Sequence, residues 1–469
     1  MENEPLTPEQ AAKKARGKAA HRMSMLAIGW FWVVCAAIAT YLVFSKGDLP
    51  AFMYGHWRMP AAAALPAIRK PASPPLVKWR DWNSDSLKFA LQENRLIFLD
   101  VTAASSRDAH VRDETTYSDP AVAKLLSDTF VAIRTDADAR PDLALRYQSA
   151  DRPTAAILIP TGELLNWGTP MSPAALIHWS SMQADAYRPN PSKVAEALRK
   201  SAAARLDSVP PAAPSESSAR PEDAVWGGFF HGAGRFEKVL RDQIDVKSSW
   251  RYVSRFLLDP NGGYYAGQDC ELRRKDGSVM EGVHYFAQDE ARRAALGMPA
   301  IDQRFFAADN GRMAAAVLDE KSMDAQARLH SIKTLDRWWK RGVYEGEVRH
   351  QLTMGVQGLL RDQIGLAAGF VAAYEATGDR SQLDRAAALV RAAETRLMDE
   401  KSKALFDRPA WHELPEPTDQ LLVPAQNREA VALYERLVKD LPVGDPLRER
   451  LKPRINDIDA WLGIRAASN

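Results

Sequence analysis

The chain has 469 residues, enough for two or three domains. Lys and Arg number 62 against 60 Asp and Glu, a net charge of +2, so no global basic field points to nucleic acid. The only cysteines, Cys35 and Cys270, supply neither a disulfide framework nor a cysteine-based metal site.

Residues 1–22 are polar, with Lys13, Lys14, Arg16, Lys18 and Arg22, and read as a cytoplasmic tail. Met23 to Phe44 then runs without a charge. About 20 apolar residues are needed to cross a bilayer core, so the reading is a transmembrane signal anchor over 23–45. A cleaved signal peptide has a shorter apolar core and a small-residue cleavage site, which Tyr41–Lys46 does not provide. The cationic flank comes first, so the expected placement is the inner membrane, single-pass, with the amino terminus cytoplasmic and the bulk of the chain periplasmic. Residues 46–77 read as a stalk, with Pro60, Pro66, Pro71, Pro74 and Pro75 favouring extended chain.

Between 78 and 200 the hydrophobic period alternates between helix and strand, which predicts an α/β domain. Ser84 or Asp85 can cap a helix that turns Leu87, Ala90 and Leu91 inward. Leu96–Val101 reads as an apolar strand covered on both faces. Asp119-Pro120 starts a helix, with proline at its first position. Strands are expected at Phe130–Arg134, Ala155–Ile159 and Glu163–Trp167, and Ser172-Pro173 opens a last helix. Helix, strand, helix, strand, helix, hairpin, helix is the thioredoxin order.

The region resembles the uncharacterised thioredoxin-domain family that includes spermatogenesis-associated protein 20. Members carry Cys-His-Trp-Cys-His-Val after the first strand; this chain has Ser106-Arg107-Asp108-Ala109-His110-Val111. Phe130-Val131-Ala132-Ile133-Arg134-Thr135-Asp136 and Arg140-Pro141-Asp142 match two further family motifs. Pro153 occupies the place of the cis proline that faces the active-site turn in such folds. Disulfide exchange needs one thiolate to attack and a second thiol to resolve. Ser106 and Ala109 can do neither, so that chemistry is excluded. What remains at the turn, Ser106, Arg107, Asp108 and His110 with Pro153 opposite, is the candidate binding surface. Exposed amides at a helix start and the Arg107 fork suit anions. A Ser-His-Asp triad is ruled out because residues along one turn do not reach the required geometry. A solvated helix cap is the bland alternative.

Residues 201–222, with Pro210, Pro211, Pro214 and Pro221, read as a linker. Over 223–469 the pattern becomes helical, including Lys247–Leu258, Ala325–Trp339, Gln357–Ala376, Ser381–Asp399, Asn427–Lys439 and Pro446–Leu462. This part resembles the distal half of the same family in Arg235–Gln243, Pro260–Ala266, Glu281–Phe286, Leu360–Gln363 and Tyr374–Asp379. The resemblance implies an α/α toroid related in shape to sugar epimerases and six-hairpin glycosidases. Fewer helices can be placed than six hairpins need, so an incomplete array is expected. The fold class read from the chain is therefore multidomain: one transmembrane helix, a thioredoxin-like α/β domain, then an all-α, toroid-like, incomplete domain.

Candidates for acid/base chemistry in the distal part are Glu237, Asp242, Asp362 and His231, with His284 and His350. Glu237 and Asp242 are about 500° apart on a helix and do not share a face. Asp242 and Asp362 recur in the same Arg-Asp-Gln context and could line a toroid axis; the alternative is that each bonds a helix end or a loop. Trp226, Phe229, Phe230, Tyr264, Tyr265, Trp338 and Trp339 could stack on sugars but are more often core. No His-x-x-x-His spacing occurs, so no metal and no cofactor is expected. Two functions remain open. One is a membrane-anchored, redox-inactive thioredoxin-like protein that binds or helps assemble a protein partner outside the cytoplasm. The other is a carbohydrate-active enzyme, an epimerase or glycoside hydrolase, using the toroid.

Overall fold

The computed structural model describes residues 75–147, 154–170, 172–207, 220–232, 234–410 and 420–463. The chain divides into two compact units, Met1–Leu65 and Pro66–Asn469, and every described residue lies in the second.

The first described elements are β1 (Arg80–Asp81), α1 (Ser84–Gln92) and β2 (Leu96–Thr102). The cap of α1 is Asn83, whose side chain accepts from the Ser86 amide, one residue ahead of the expected Ser84 or Asp85. After β2 come α2 (Arg107–Val111), a π-helical turn (Arg112–Thr116), α3 (Pro120–Thr129), β3 (Phe130–Asp136) and α4 (Pro141–Tyr147). The domain closes with β4 (Thr154–Leu158), β5 (Leu164–Gly168), α5 (Pro173–Tyr187) and α6 (Pro191–Asp207). Helix α6 runs past 201 into the stretch read as linker. The sheet order is β1-β3-β2-β4-β5, with β2 parallel to β3 and antiparallel to β4.

The side-chain period of two divides β2 between two cores. Leu96 and Phe98 pack with Leu126, Ile157 and Leu176 on one face. Ile97, Leu99 and Val101 pack with Leu87, Ile133 and Leu143 on the other. At roughly 1.5–3 kcal/mol per buried Leu, Ile or Phe, this strand anchors the domain. It is not uniformly apolar. Asp100 is fully buried. It is held by Arg112 and Arg134, both at 2.8 Å, and by the Tyr117 hydroxyl at 2.8 Å. A buried carboxylate needs such pairing to stay charged.

The second part carries α7 (Val246–Phe256), α8 (Gly282–Tyr285), α9 (Glu290–Leu296), α10 (Ala307–Asp319), α11 (Ala325–Arg341), α12 (Leu360–Thr377), α13 (Arg380–Arg396), α14 (Pro424–Asp440) and α15 (Pro446–Trp461). It is not all-α. Short strands pair within it, β6 (Lys238–Val239), β7 (Gly267–Gln268) and β10 (Ile301–Asp302) as one sheet, and β8 (Leu272–Arg273) with β9 (Val279–Met280). A further pair is β11 (Val343–Tyr344) with β12 (Glu347–Val348).

Helix α10 escapes a pattern reading because Asp309-Asn310-Gly311 looks like a turn. Packing explains those residues. A Cβ on Gly311 would lie 2.2 Å from the Gly365 carbonyl, and one on Gly365 would lie 2.8 Å from Ala308 Cα. Helices α10 and α12 therefore meet backbone to backbone.

The fold class and the localisation need correction. Among the described residues, no helix is long and apolar enough to cross a membrane. The longest, α12, has 18 residues, carries Arg361, Asp362 and Glu375, and packs into the chain's own core. The fold is instead an α/β domain followed by a mainly helical one, and an inner-membrane, single-pass placement is not supported. Residues 23–45, on which that reading rests, lie outside the described residues.

Candidate functional site

The turn between β2 and α2 is where a thioredoxin-like fold presents its thiols. Ala109 is buried there, and Ser106 precedes α2 as its cap without a side-chain cap bond. Arg107 and His110 of this turn are docked on the helical domain. Arg107 reaches Glu281 at 2.6 Å and Glu271 at 3.4 Å. His110 Nδ1 lies 2.9 Å from Glu271 Oε1, and its Nε2 lies 2.8 Å from the Ala104 carbonyl oxygen. Cys270 Sγ sits 3.9 Å from His110 Nδ1, and the Cys270 amide donates to the Ser105 carbonyl at 3.4 Å. Arg273 ties Glu271 at 2.6 Å to Glu114 at 3.3 Å.

With acceptors at both ring nitrogens, His110 is placed to be an imidazolium. Burial lowers its pKa, but the bond to Glu271 and the Asp269 charge outweigh it and leave the value raised. Around it the acids are pushed up: Asp269 by burial, Glu237 by burial, and the Cys270 thiol by burial together with the charges of Asp269 and Glu271. Such a thiol is a poor nucleophile. Pro153 lies outside the described residues.

The helical-domain candidates resolve into separate pairs. His231 Nδ1 lies 2.6 Å from Asp242 Oδ2, and Arg220 is 3.2 Å from the other oxygen. His350 Nδ1 lies 2.8 Å from Asp362 Oδ2, while its Nε2 lies 2.6 Å from the Asp138 carbonyl of the first domain. Asp362 also accepts from the Ala308 amide at 3.1 Å. Glu237 is buried and within electrostatic reach of His231 and Asp108. His284 stands on the short α8 and joins neither pair.

The glutamines that follow the two aspartates act as clamps. Gln243 accepts from the Phe229 amide and donates to the Phe229 carbonyl, both at 2.8 Å. Gln363 accepts from the Val348 amide at 2.7 Å and donates to the Gly346 carbonyl at 2.9 Å. Asn310 grips Tyr264 and Asn427 grips Leu405 through both backbone groups in the same way. The recurring Asp-Gln context is thus a repeated structural joint whose glutamine satisfies backbone groups of a facing segment. Trp226, Phe230, Tyr264 and Trp338 are buried core residues rather than an open stacking platform.

Residues that no motif announces join the two domains. Arg146 makes a two-pronged, buried ion pair with Asp407, at 2.8 and 3.0 Å. Arg241 reaches Asp138 at 2.8 Å, and Arg304 reaches Asp136 at 3.3 Å. Beside these contacts lies a cleft of about 400 Å³, lined by Asp138, Leu145, Arg241, Leu359, Arg361 and Gln426 among others. Sequence reasoning missed Asp138, Arg146, Asp269, Cys270, Glu271 and Asp407. The one local signal was Cys270 set between two acids.

Residues 61–196 match the family Thioredox_DsbH, described as a protein of unknown function, DUF255. An uncharacterized protein of Caenorhabditis elegans is 33% identical over 73 residues, 16% of this chain and 10% of that protein. Human spermatogenesis-associated protein 20 is 29% identical over 80 residues, 17% of this chain and 10% of its own length. The chain therefore matches about a tenth of the length of these relatives. Among solved structures, the cellobiose 2-epimerase from Bacillus thermoamylovorans B4167 aligns at a TM-score of 0.39 with 12% identity, over 51% of this chain and 66% of that one. A GH76 alpha-mannanase of Bacteroides thetaiotaomicron aligns at 0.30 with 15% identity, over 35% and 46%. The strand order, the family match and the motifs around Ser106 and Arg140 agree: over residues 61–196 the chain is similar to the DUF255 thioredoxin-like family.

Proposed function

We propose that this is a redox-inactive thioredoxin-like protein that works by binding and assembling a protein partner. One observation carries the reading. The turn that would present two thiols has none, and its Arg107 and His110 are spent on Glu271 and Glu281 of the helical domain. The two domains then act as one body, and the cleft between them is the surface offered. Exposed Leu145 gives it an apolar contact, and Arg361 beside Asp138 gives it charge for orientation. The test is a photo-crosslinking amino acid placed at Leu145 in the full chain, with exposed Leu329 as the control position. A discrete adduct formed from Leu145 and lost with Arg361→Glu supports the reading. Equal labelling from both positions overturns it.

A carbohydrate-active reading draws support from the two aspartate-held imidazoles, His231–Asp242 and His350–Asp362, an arrangement that acid/base chemistry uses. Turnover of a sugar panel by the full chain, lost with Asp242→Asn or Asp362→Asn, would establish it in place of the binding role.

A further inference from the structure

We propose that His110, Asp269 and Cys270 form a binding site for one divalent transition-metal ion of the zinc type, shared between the two domains. Their ligand atoms all lie within 4.8 Å of one another. Two of them, His110 Nδ1 and Cys270 Sγ, are 3.9 Å apart. A tetrahedral ion with ordinary metal–nitrogen, metal–oxygen and metal–sulfur lengths spaces its ligand atoms by about 3.3–3.6 Å. The set therefore closes on an ion by movements of about an ångström or less.

The donor types decide which ion. Imidazole and thiolate with one carboxylate suit zinc and its neighbours, whereas magnesium and calcium take oxygen donors. The supporting contacts are also in place. His110 Nε2 lies 2.8 Å from the Ala104 carbonyl, which is how a ligating histidine is held with its other nitrogen toward the metal. Turning Nδ1 from Glu271 to the ion does not strand Glu271, which keeps Arg107 at 3.4 Å and Arg273 at 2.6 Å. A water or Glu271 itself can fill the fourth position. Binding exchanges coordinated water for these side chains, releases the protons of the thiol and of Nδ1, and changes no oxidation state.

The site has a structural logic. The thioredoxin turn has lost its own thiols, and a thiol from the other domain stands against it. An ion here would pin α2 to the Asp269–Glu271 segment. The inference is independent of the partner-binding cleft, whose residues it does not use.

The experiment is cobalt titration of the metal-stripped full chain. One equivalent of Co²⁺ should bring thiolate-to-metal absorption and tetrahedral visible bands, and Zn²⁺ should abolish both by displacement. Cys270→Ala should remove the thiolate absorption, and His110→Gln and Asp269→Asn should each weaken binding at least tenfold. Circular dichroism of the metal-free variants checks their folding. If Cys270→Ala does not fold, His110→Gln and the wild-type spectrum decide. Absence of thiolate absorption in the wild type, its survival in Cys270→Ala, or undiminished Co²⁺ affinity in His110→Gln overturns the proposal.

Discussion

Replacing Arg146 by Met tests whether the domain junction rests on its buried ion pair. Arg146 and Asp407 have side-chain exposures of 4% and 3%, and the guanidinium makes two bonds to the carboxylate. It also donates to the Asp142 carbonyl at 2.8 Å. Without it, Asp407 keeps the Leu421 amide at 2.7 Å as a neutral donor against a buried charge. Removing one partner of such a pair costs about 3–5 kcal/mol. Arg408 moderates the loss. Burial and the neighbouring Arg146 charge hold its pKa down, so losing Arg146 relieves it. The expected cost is therefore near the low end, about 3 kcal/mol, more than 100-fold in the opening equilibrium. Asp407→Asn keeps the Leu421 bond and removes the stranded charge, so the double variant Arg146→Met/Asp407→Asn should recover about 2 kcal/mol relative to additivity. Native-state hydrogen exchange is the assay, because the junction can open without global unfolding. Protection at the Leu360 and Leu421 amides, which bond Asp407, reports the event. A cost below about 1 kcal/mol for Arg146→Met, or a double variant as unstable as the sum of the singles, would refute the reasoning.

Gly311→Ala forces a methyl to within 2.2 Å of the Gly365 carbonyl, so α10 and α12 must separate; destabilisation of about 3 kcal/mol or more is expected in urea unfolding, against less than 1 for exposed Gly277→Ala corrected for its positive φ. His350 is raised above its ordinary value, burial being outweighed by the charge and bond of Asp362. Such a histidine gives stability that is whole below the ordinary histidine pKa and fades as pH rises through the folded value. His350→Asn should therefore cost more at pH 6, about 1.5–3 kcal/mol, than at pH 9, and equal costs at both would remove the charged pair from the account. Cys270 is buried with its thiol pushed up, so a Cys35→Ser variant should react with a disulfide reagent only after unfolding. Fast labelling of the native protein would contradict that environment. Insulin reduction should be absent at any pH, and measurable turnover would mean that Ser106 and Ala109 are not the positions of the ancestral thiols.

Much of the fold was legible because its signals are local. The continuous apolar run Leu96–Val101, the Asp119-Pro120 start and the Ser172-Pro173 start each declare an element through a few neighbouring residues. Helix α10 was not legible, because Asp309-Asn310-Gly311 spells a turn locally. Asn310 is there to clamp Tyr264, and Gly311 to admit the Gly365 backbone. Asp100 was likewise absorbed into an apolar run, since its partners Arg112 and Arg134 lie on other elements.

The candidate site divides in the same way. Sequence by itself determined that the turn at Ser106–Val111 belongs to a thioredoxin-like domain and lacks its thiols, because thiol chemistry depends on which side chains are present and how far apart they stand along the chain. Only the tertiary structure decided what the turn does instead. Arg107 and His110 meet Glu271, Glu281 and Cys270 from a segment about 160 to 170 residues away, a contact that no local pattern encodes. From sequence, the aspartates of the two Arg-Asp-Gln motifs could either line one axis or each bond a helix end or a loop. Folding gave each its own histidine and each following glutamine a backbone to hold, because buried polar groups take the nearest partner that satisfies them.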